Sequence, residues 1–152
     1  MFRWITLLIV CAATHAPITI ASDQSTLAEL VERGNVMEIS AALQAGRFTS
    51  RALTAHYLDR IDRYDEEYRA VLAVNPNALS DATETDKLRS QGSRAPLLGI
   101  PVLIKDNIET RELPTTAGAL ALRGNRTNRD APLIAQLRQA GAIILGLSLI
   151  HI

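Results

Sequence analysis

A strand, a helix and a second strand follow one another late in the sequence, and this succession constrains the fold most. Residues 100–104 and residues 142–145 are apolar runs of the length and type found in buried strands. Between them, Asp130 and Pro132 predict the start of a helix and Gly141 predicts its end. Strands joined in this way are normally parallel neighbours, so the sequence predicts an α/β fold.

Helices precede this unit. Apolar residues make up 47% of the 152-residue chain and charged residues 21%, which is the balance of one modest globular domain. The predicted upstream elements are a helix from Ser25 to Gly34, a helix over about residues 36–45, a helix capped by Thr49 or Ser50, a strand over residues 68–74 and a polar helix from Asn75 to about Gly92.

The first 22 residues have the pattern of a secretory signal peptide. Arg3 supplies a positive start, residues 5–13 form an apolar stretch interrupted by one threonine, and small residues follow at Ala21 and Ser22. The apolar stretch is too short for a membrane span. We therefore expect cleavage after Ala21 or Ser22, export to the periplasm or the extracellular medium, and no membrane anchor in the mature chain.

Removal of this segment limits the chemistry of the mature chain. Cys11, the only cysteine, is lost with it, so no disulfide and no thiolate nucleophile are expected. Arg3 is the only formal charge lost, which leaves 15 basic residues against 16 acidic ones. This near-neutral balance gives no electrostatic basis for binding nucleic acid or an anionic membrane surface. Nothing around His56 has metal-ligand spacing, so we expect a structural or surface histidine, no metal site and no cofactor.

A lysine occupies the position where α/β proteins build their sites. Lys105 directly follows the strand at residues 100–104, and ligands bind outside the carboxyl ends of parallel strands in open α/β sheets. A lysine after an apolar run is, however, more often a strand end at the surface. The position alone therefore leaves a functional and a structural interpretation of Lys105 open.

Three motifs in a fixed order help to decide between the functional and the structural interpretation of Lys105. They are GIPVLIKDN at residues 99–107, PTTAG at residues 114–118 and RDAPL at residues 129–133. In this order they resemble the first half of the amidase signature family, and the resemblance extends over about residues 36–146. It implies an α/β fold in which N-terminal helices are followed by the first part of a mixed central sheet, incomplete in this chain.

The resemblance also implies a hydrolase that cleaves carboxamide C–N bonds with a serine, a second serine held by a cis peptide, and a lysine. Lys105 falls on the family's catalytic lysine. A lysine with an ordinary pKa near 10.4 cannot accept a proton at neutral pH, but burial at a strand end can lower a lysine pKa by about 3 units. We expect the neutral amine to take a proton from the bridging serine, which takes one from the nucleophilic serine.

The serine pair is not expected within these 152 residues. We therefore expect the chain alone to be inactive. The strands at residues 100–104 and 142–145 are also expected to lack most of their neighbours, so the isolated chain should aggregate along open strand edges.

The residues after the lysine have predicted supporting roles. Asp106 is assigned to hydrogen bonding within the loop, because an ionised carboxylate facing the lysine would keep it charged. Asn107 could tie the loop or help to orient the lysine. Thr115, Thr116 and Gly118 form a polar turn that could border the substrate cavity or satisfy its own backbone. A small-molecule amide is the expected partner, and no oligomeric state is predicted.

Two other functions remain open. The full-length protein could be a non-catalytic member of the same fold that binds amides or partners, or it could resemble the amidotransferase subunit that acts on mischarged tRNA. A buried lysine costs stability, so its presence favours a catalyst over a binding protein. The signal peptide argues against the amidotransferase subunit.

The predicted domain boundaries follow from these segments. Residues 1–22 are the signal peptide, residues 23–35 an N-terminal helix or linker, and residues 36–146 part of the amidase domain. The last six residues, LSLIHI at 147–152, depart from the family pattern, in which a lysine and a polar turn come next. The hexapeptide matches the translation of a transposon end used in sequencing libraries, so we expect that residues 147–152 are not native sequence.

Overall fold

The computed structural model describes residues 23–149. These residues form five helices, three strands and one 3-10 turn: α1 (Asp23–Arg33), α2 (Val36–Gln44), α3 (Ser50–Tyr68), β1 (Val71–Val74), α4 (Ala78–Ser90), β2 (Pro101–Lys105), the 3-10 turn (Leu120–Leu122), α5 (Pro132–Gln139) and β3 (Ile143–Ser148). The predicted signal peptide and the last three of the residues predicted to be non-native lie outside the described residues. Within the described range, no helix combines the length and the apolar character that a membrane span needs.

The N-terminal helices begin close to their predicted positions. Of the two predicted caps of α3, Thr49 and Ser50, the structure has Thr49, whose side chain accepts a hydrogen bond from the backbone N–H of Ala52 at 3.0 Å. Asn35, which the prediction did not use, caps α2 by accepting from the backbone N–H groups of Met37 and Glu38. These caps satisfy backbone donors that a helix start leaves without an intrahelical partner.

The three strands form one mixed sheet in the order β1-β3-β2. β2 runs parallel to β3, as the strand-helix-strand pattern predicted, and β1 runs antiparallel to β3 on its other side. The expectation that both strands of the pattern would lie open is therefore wrong for β3, because β1 pairs with it. Among the described residues, the sheet edges belong to β1 and β2.

β1 is shorter than the strand predicted over residues 68–74. Arg69 ends α3 in a left-handed conformation with φ 49°. The Asp65 carboxylate then accepts hydrogen bonds from the backbone N–H groups of Ala70 and Val71, at 2.8 and 2.9 Å. Because these donors face Asp65, regular strand pairing begins only at Val71.

β3 is longer than predicted and ends at Ser148, whereas the sequence indicated an end at Leu145. Leu147 is only 1% exposed and pairs with Ile104 of β2. Strand pairing uses backbone groups that every residue other than proline carries. The pairing of Leu147 and Ser148 therefore does not show whether these two residues are native sequence. The non-native origin of residues 147–152 stays a prediction.

β3 is buried on both faces, which gives the fold three layers. Ile143 and Leu145 pack with residues of α3 and α4 on one face. Ile144 packs with Ile134 of α5 and Ile104 of β2 on the other face. A strand covered on both faces requires apolar residues at consecutive positions, and this requirement explains the apolar run in the sequence.

A polar network fixes the segment that leads into β2. The Asp86 carboxylate accepts hydrogen bonds from the backbone N–H groups of Ser50 (2.7 Å) and Arg51 (3.0 Å) at the start of α3. Arg89 pairs with Asp86 and donates to the Ser50 hydroxyl (2.7 Å) and to the Leu98 carbonyl (2.8 Å). The network thereby joins α3, α4 and the segment before β2.

We expect acid to weaken this network. Burial raises the pKa of the Asp86 carboxyl, but hydrogen bonds from the backbone of Arg51 and Ser50 and from Arg89 outweigh burial and hold the pKa below its ordinary value of 3.8. The stabilisation is therefore complete above the ordinary value and is lost as the pH falls through the lowered value of the folded state. In the full-length protein, the Tm difference between wild type and Asp86→Asn should be largest near about pH 7 and shrink below about pH 4.

Asp59→Asn is the matched control for this pH series. Asp59 forms an exposed ion pair with Arg63 on α3, and pairs of this kind contribute little to stability. The Tm of the Asp59→Asn protein should therefore stay close to that of the wild type at every pH of the series. A Tm difference for Asp86→Asn that does not change with pH would contradict the expected linkage.

Candidate functional site

Lys105 is the last residue of β2 and lies at the carboxyl end of the parallel strand pair, where the sequence placed it. Its register partner on β3 is Ser148. Strand alternation puts Lys105 on the face of β2 that carries Leu103, opposite to Ile104. Ile104 is buried, whereas Leu103 is 40% exposed. Lys105 therefore lies on the more open face of the strand.

The Lys105 side chain is exposed, in contrast to the burial that the catalytic interpretation assumed. Ile104 on the same strand is buried, so the exposure of Lys105 comes from its position at the strand end on the less covered face of β2. The ion pairs formed within this range use other cations and none involves Lys105. Its function as a base stays a prediction.

Asp106 bonds to the polar turn, as predicted, and is only 1% exposed. Its Oδ1 accepts a hydrogen bond from the Thr116 backbone N–H (2.8 Å), while Oδ2 accepts from the Thr116 hydroxyl and the Gly118 N–H (3.3 Å). Its backbone carbonyl accepts from the Ala117 N–H at 2.9 Å. We call these four hydrogen bonds to residues 116–118 the Asp106 clamp.

The clamped turn has a backbone that needs such support. Ala117 and Gly118 have positive φ angles of 49° and 75°. The left-handed conformation costs a residue with a side chain roughly 1 kcal/mol, and hydrogen bonds to a carboxylate are strong enough to offset that cost. The turn therefore depends on long-range contacts as well as on its own sequence.

Thr115 is held on the other side of the turn, away from Asp106. Its backbone N–H donates to the Asn125 carbonyl at 3.0 Å, and its carbonyl accepts from the Asn125 side-chain amide at 2.9 Å. Thr115 is buried, and its hydroxyl has no hydrogen-bond partner among the described residues. Thr115 and Asn125 thus anchor the start of the turn to the segment that follows the 3-10 turn.

Thr116 and Gly118 line a cavity of about 330 Å³ together with Asp106. This volume lies in the range of small-molecule sites. The remaining walls, from β1, β3 and the segment between β2 and α5, are Leu72, Ala73, Pro114, Ala119, Leu120, Arg123 and Leu147. Arg123 could not be predicted from the sequence, because a single arginine in an irregular segment has no pattern that distinguishes it.

The structure brings some of the predicted site residues together and leaves others apart. Thr116 and Gly118 share the cavity, whereas neither Thr115 nor Lys105 is among its lining residues. Asn107 is exposed in the turn that follows β2. The substrate-binding and supporting roles assigned to these residues stay predictions.

A second cavity, of about 440 Å³, lies on the face of β2 that carries Leu103 and Lys105. It lies between the carboxyl-terminal part of α3 and the sheet, and Tyr64 and Tyr68 of α3 line it while remaining 49% and 70% exposed. Large apolar side chains with this much exposure mark a surface suited to packing against further structure. The face of the sheet that carries Lys105 is therefore covered less fully than the opposite face.

The described residues contain no group of three or more His, Cys, Asp or Glu side chains arranged to hold a metal ion. The His56 ring meets the Tyr57 ring edge to face, with centroids 6.1 Å apart. This contact is a packing interaction of the kind common in protein cores.

The chain is similar to known amidases in sequence and in structure. A family model described as Amidase matches residues 52–151. Among solved structures, the native peptide amidase from Stenotrophomonas maltophilia is 44% identical with a TM-score of 0.74, over 76% of this chain and 24% of that protein. An amidase family protein from Bacillus anthracis is 33% identical with a TM-score of 0.76, over 87% of this chain and 27% of that protein.

A curated relative carries a different name. A Glutamyl-tRNA(Gln) amidotransferase subunit from Chromohalobacter salexigens is 37% identical over 110 residues, which are 72% of this chain and 23% of that protein. The chain thus spans about a quarter of the length of the relatives it matches. The family match includes Lys105, the Asp106 clamp and the polar turn. The sequence motifs, the mixed sheet and these matches agree with one another. The chain belongs to the amidase signature family.

Proposed function

We propose that the full-length protein hydrolyses the C–N bond of carboxamides, with Lys105 as the base of a Ser–cis-Ser–Lys relay whose serines lie beyond Gly146. The observation that carries the proposal is the position of Lys105. Lys105 is the last residue of a parallel strand and lies within the region that the family model matches. The chain is 44% identical to a peptide amidase of the same fold.

The proposed chemistry needs a neutral amine at the strand end. The Lys105 amine takes a proton from the bridging serine, which takes the proton of the nucleophilic serine as its oxygen attacks the amide carbonyl. The C–N bond breaks, the nitrogen leaves as ammonia or an amine after protonation, and water hydrolyses the acyl-enzyme. Backbone N–H groups would stabilise the oxyanion, a contribution of about 3 kcal/mol for each donor in comparable sites.

The exposure of Lys105 is compatible with this proposal. The chain spans about a quarter of its relatives, and the face that carries Lys105 also carries the half-exposed Leu103 and Tyr64. We propose that other parts of the full-length domain cover this face and bury the lysine. The chain alone should then be inactive, because it has neither the serine pair nor the buried base.

Ammonia release tests the proposed function. The full-length protein should release ammonia from a simple primary carboxamide such as benzamide, and the 152-residue chain assayed at the same concentration should not. An active chain would contradict the proposed relay. Absence of turnover in the full-length protein, with amide binding retained, would favour the non-catalytic binding protein.

The amidotransferase subunit is a second candidate, supported by the 37% identity to the protein of that name from Chromohalobacter salexigens. A subunit of this kind should release ammonia from glutamine and depend on partner subunits for full activity. An amidase should act on simple amides alone. Assaying benzamide and glutamine side by side, with the purified protein only, separates the two candidates.

We also propose that the mature protein is exported and begins at Ser22 or Asp23. The positively charged start, the apolar stretch at residues 5–13 and the small residues before the cut support this proposal. Mass spectrometry of the periplasmic and extracellular fractions should find one of these two amino termini. An intact Met1 on a cytosolic protein would contradict export.

A further inference from the structure

We infer that Asp106 is a positioning residue: through the Asp106 clamp it holds the turn at residues 116–118 as a wall of the amide-binding cavity, and it thereby sets substrate affinity. This inference rests on the proposed amidase function of the full-length protein. It assigns Asp106 no part in proton transfer.

The Asp106 carboxylate forms its hydrogen bonds with the turn at residues 116–118. A carboxylate that is only 1% exposed must have its oxygens paired, because an unpaired buried charge is very costly. Three donors fill this requirement, and all of them belong to Thr116 and Gly118. Within residues 23–149, none of the side-chain hydrogen bonds of Asp106 goes to Lys105.

These bonds support the turn together with two bonds inside it, from the Gly118 N–H to the Thr116 hydroxyl (3.1 Å) and from the Ala119 N–H to the Thr116 carbonyl (2.9 Å). Ala117 and Gly118 are both left-handed, and the N–H groups on either side of Ala117 point at the same carboxylate. If the carboxylate were replaced, the Gly118 N–H would keep only the Thr116 hydroxyl as its acceptor, and Ala117 would relax towards a commoner conformation. Thr116 and Gly118 line the cavity, so its wall would move with them.

The expected consequence is on affinity and not on the chemical step. The clamp contacts two lining residues of the cavity, and no side-chain hydrogen bond of Asp106 within residues 23–149 goes to Lys105. A change in the wall alters how the amide is held. The base that accepts the proton should be affected much less.

Two substitutions in the full-length enzyme test the clamp. Asp106→Asn keeps the shape but replaces one acceptor oxygen with an NH2 group that cannot accept from Gly118, and Thr116→Val removes the hydroxyl donor while keeping the branched shape. Both should raise KM for benzamide about tenfold and leave kcat and the pH–rate profile nearly unchanged. Thr116→Ser keeps the hydroxyl and should restore a KM close to that of the wild type.

Asp86→Asn is the matched structural control. Asp86 also accepts hydrogen bonds from two backbone N–H groups, but it acts at the amino end of β2, far from Lys105. It should lower Tm without changing KM. If Asp106→Asn and Thr116→Val behave like Asp86→Asn, or if they lower kcat at constant KM, the inference is wrong.

Affinity measured without turnover separates this inference from the proposed function. In the Lys105→Ala background, calorimetry should give a Kd for benzamide that Asp106→Asn raises about tenfold. If Kd rises in this way but the wild-type protein hydrolyses no amide, the proposed function is overturned and the clamp is supported. An equal Kd with and without Asp106→Asn, in a protein that does hydrolyse amides, would overturn the clamp alone.

Discussion

Replacing Lys105 with alanine should lower kcat of the full-length enzyme for benzamide by about 10² to 10⁴, and by more if the three relay residues act as one unit. The alanine cannot accept the serine proton, so both the attack on the amide and the hydrolysis of the acyl-enzyme lose their base. Lys105 is the last residue of β2 and forms no ion pair among the described residues, so its removal should leave the fold intact. Steady-state kinetics and a circular dichroism spectrum of each protein measure the two effects.

Lys87→Ala is the matched control, since Lys87 is the only other lysine of the sequence. It lies on α4, is 62% exposed and pairs with Glu84 at 3.6 Å, a contact of small energetic value. Its kcat and KM should equal those of the wild type. Turnover of the Lys105→Ala enzyme within a few-fold of the wild type would return Lys105 to the structural interpretation.

Gly99→Ala should destabilise the fold strongly. Gly99 precedes β2 with φ 82°, and a Cβ atom there would overlap the Ser50 hydroxyl and lie 2.7 Å from the Ser50 Cβ. Rotating the hydroxyl away would break its hydrogen bond to Arg89 and leave the second clash in place. Left-handed strain and overpacking together should cost about 3 kcal/mol, measured as a fall in Tm of the full-length protein.

Gly92→Ala isolates the clash from the backbone strain. Gly92 also has a positive φ, 95°, but a Cβ atom there would meet nothing within 4 Å. It should therefore cost only the left-handed strain, about 1 kcal/mol. Equal falls in Tm for the two variants would show that the Ser50–Arg89 network does not constrain Gly99.

The core of the fold could be predicted because its signals are local. The apolar runs around residues 100–104 and 142–145 predicted β2 and β3, and Gly141 and Pro132 predicted the bounds of the helix between them. The parallel pairing followed from the crossover that joins the two strands. These features depend on periodicity and on backbone conformation, which a sequence shows directly.

Features that depend on distant contacts could not be predicted in the same way. Asp130 was expected to start α5, but its carboxylate instead accepts hydrogen bonds from the Arg111 backbone and from Arg138, and Ala131 occupies the cap position. The exposure of Lys105 depends on what packs against its face of β2, and the single arginine at position 123 has no pattern. Asp106 was the exception, because chemical incompatibility with a neutral lysine beside it already favoured a bond to the loop.

Rescue of the Lys105→Ala enzyme by a small primary amine tests most directly whether Lys105 acts as the base. Release of the aryl amine from a simple anilide should rise with the concentration of free methylamine in Lys105→Ala, while the wild-type rate, measured in the same solutions, should not rise. A neutral amine can diffuse into the space that the side chain leaves and accept the serine proton in its place. A Lys105→Ala rate that stays at its low level at every methylamine concentration, under conditions in which the wild type remains active, would contradict the assignment of Lys105 as the base.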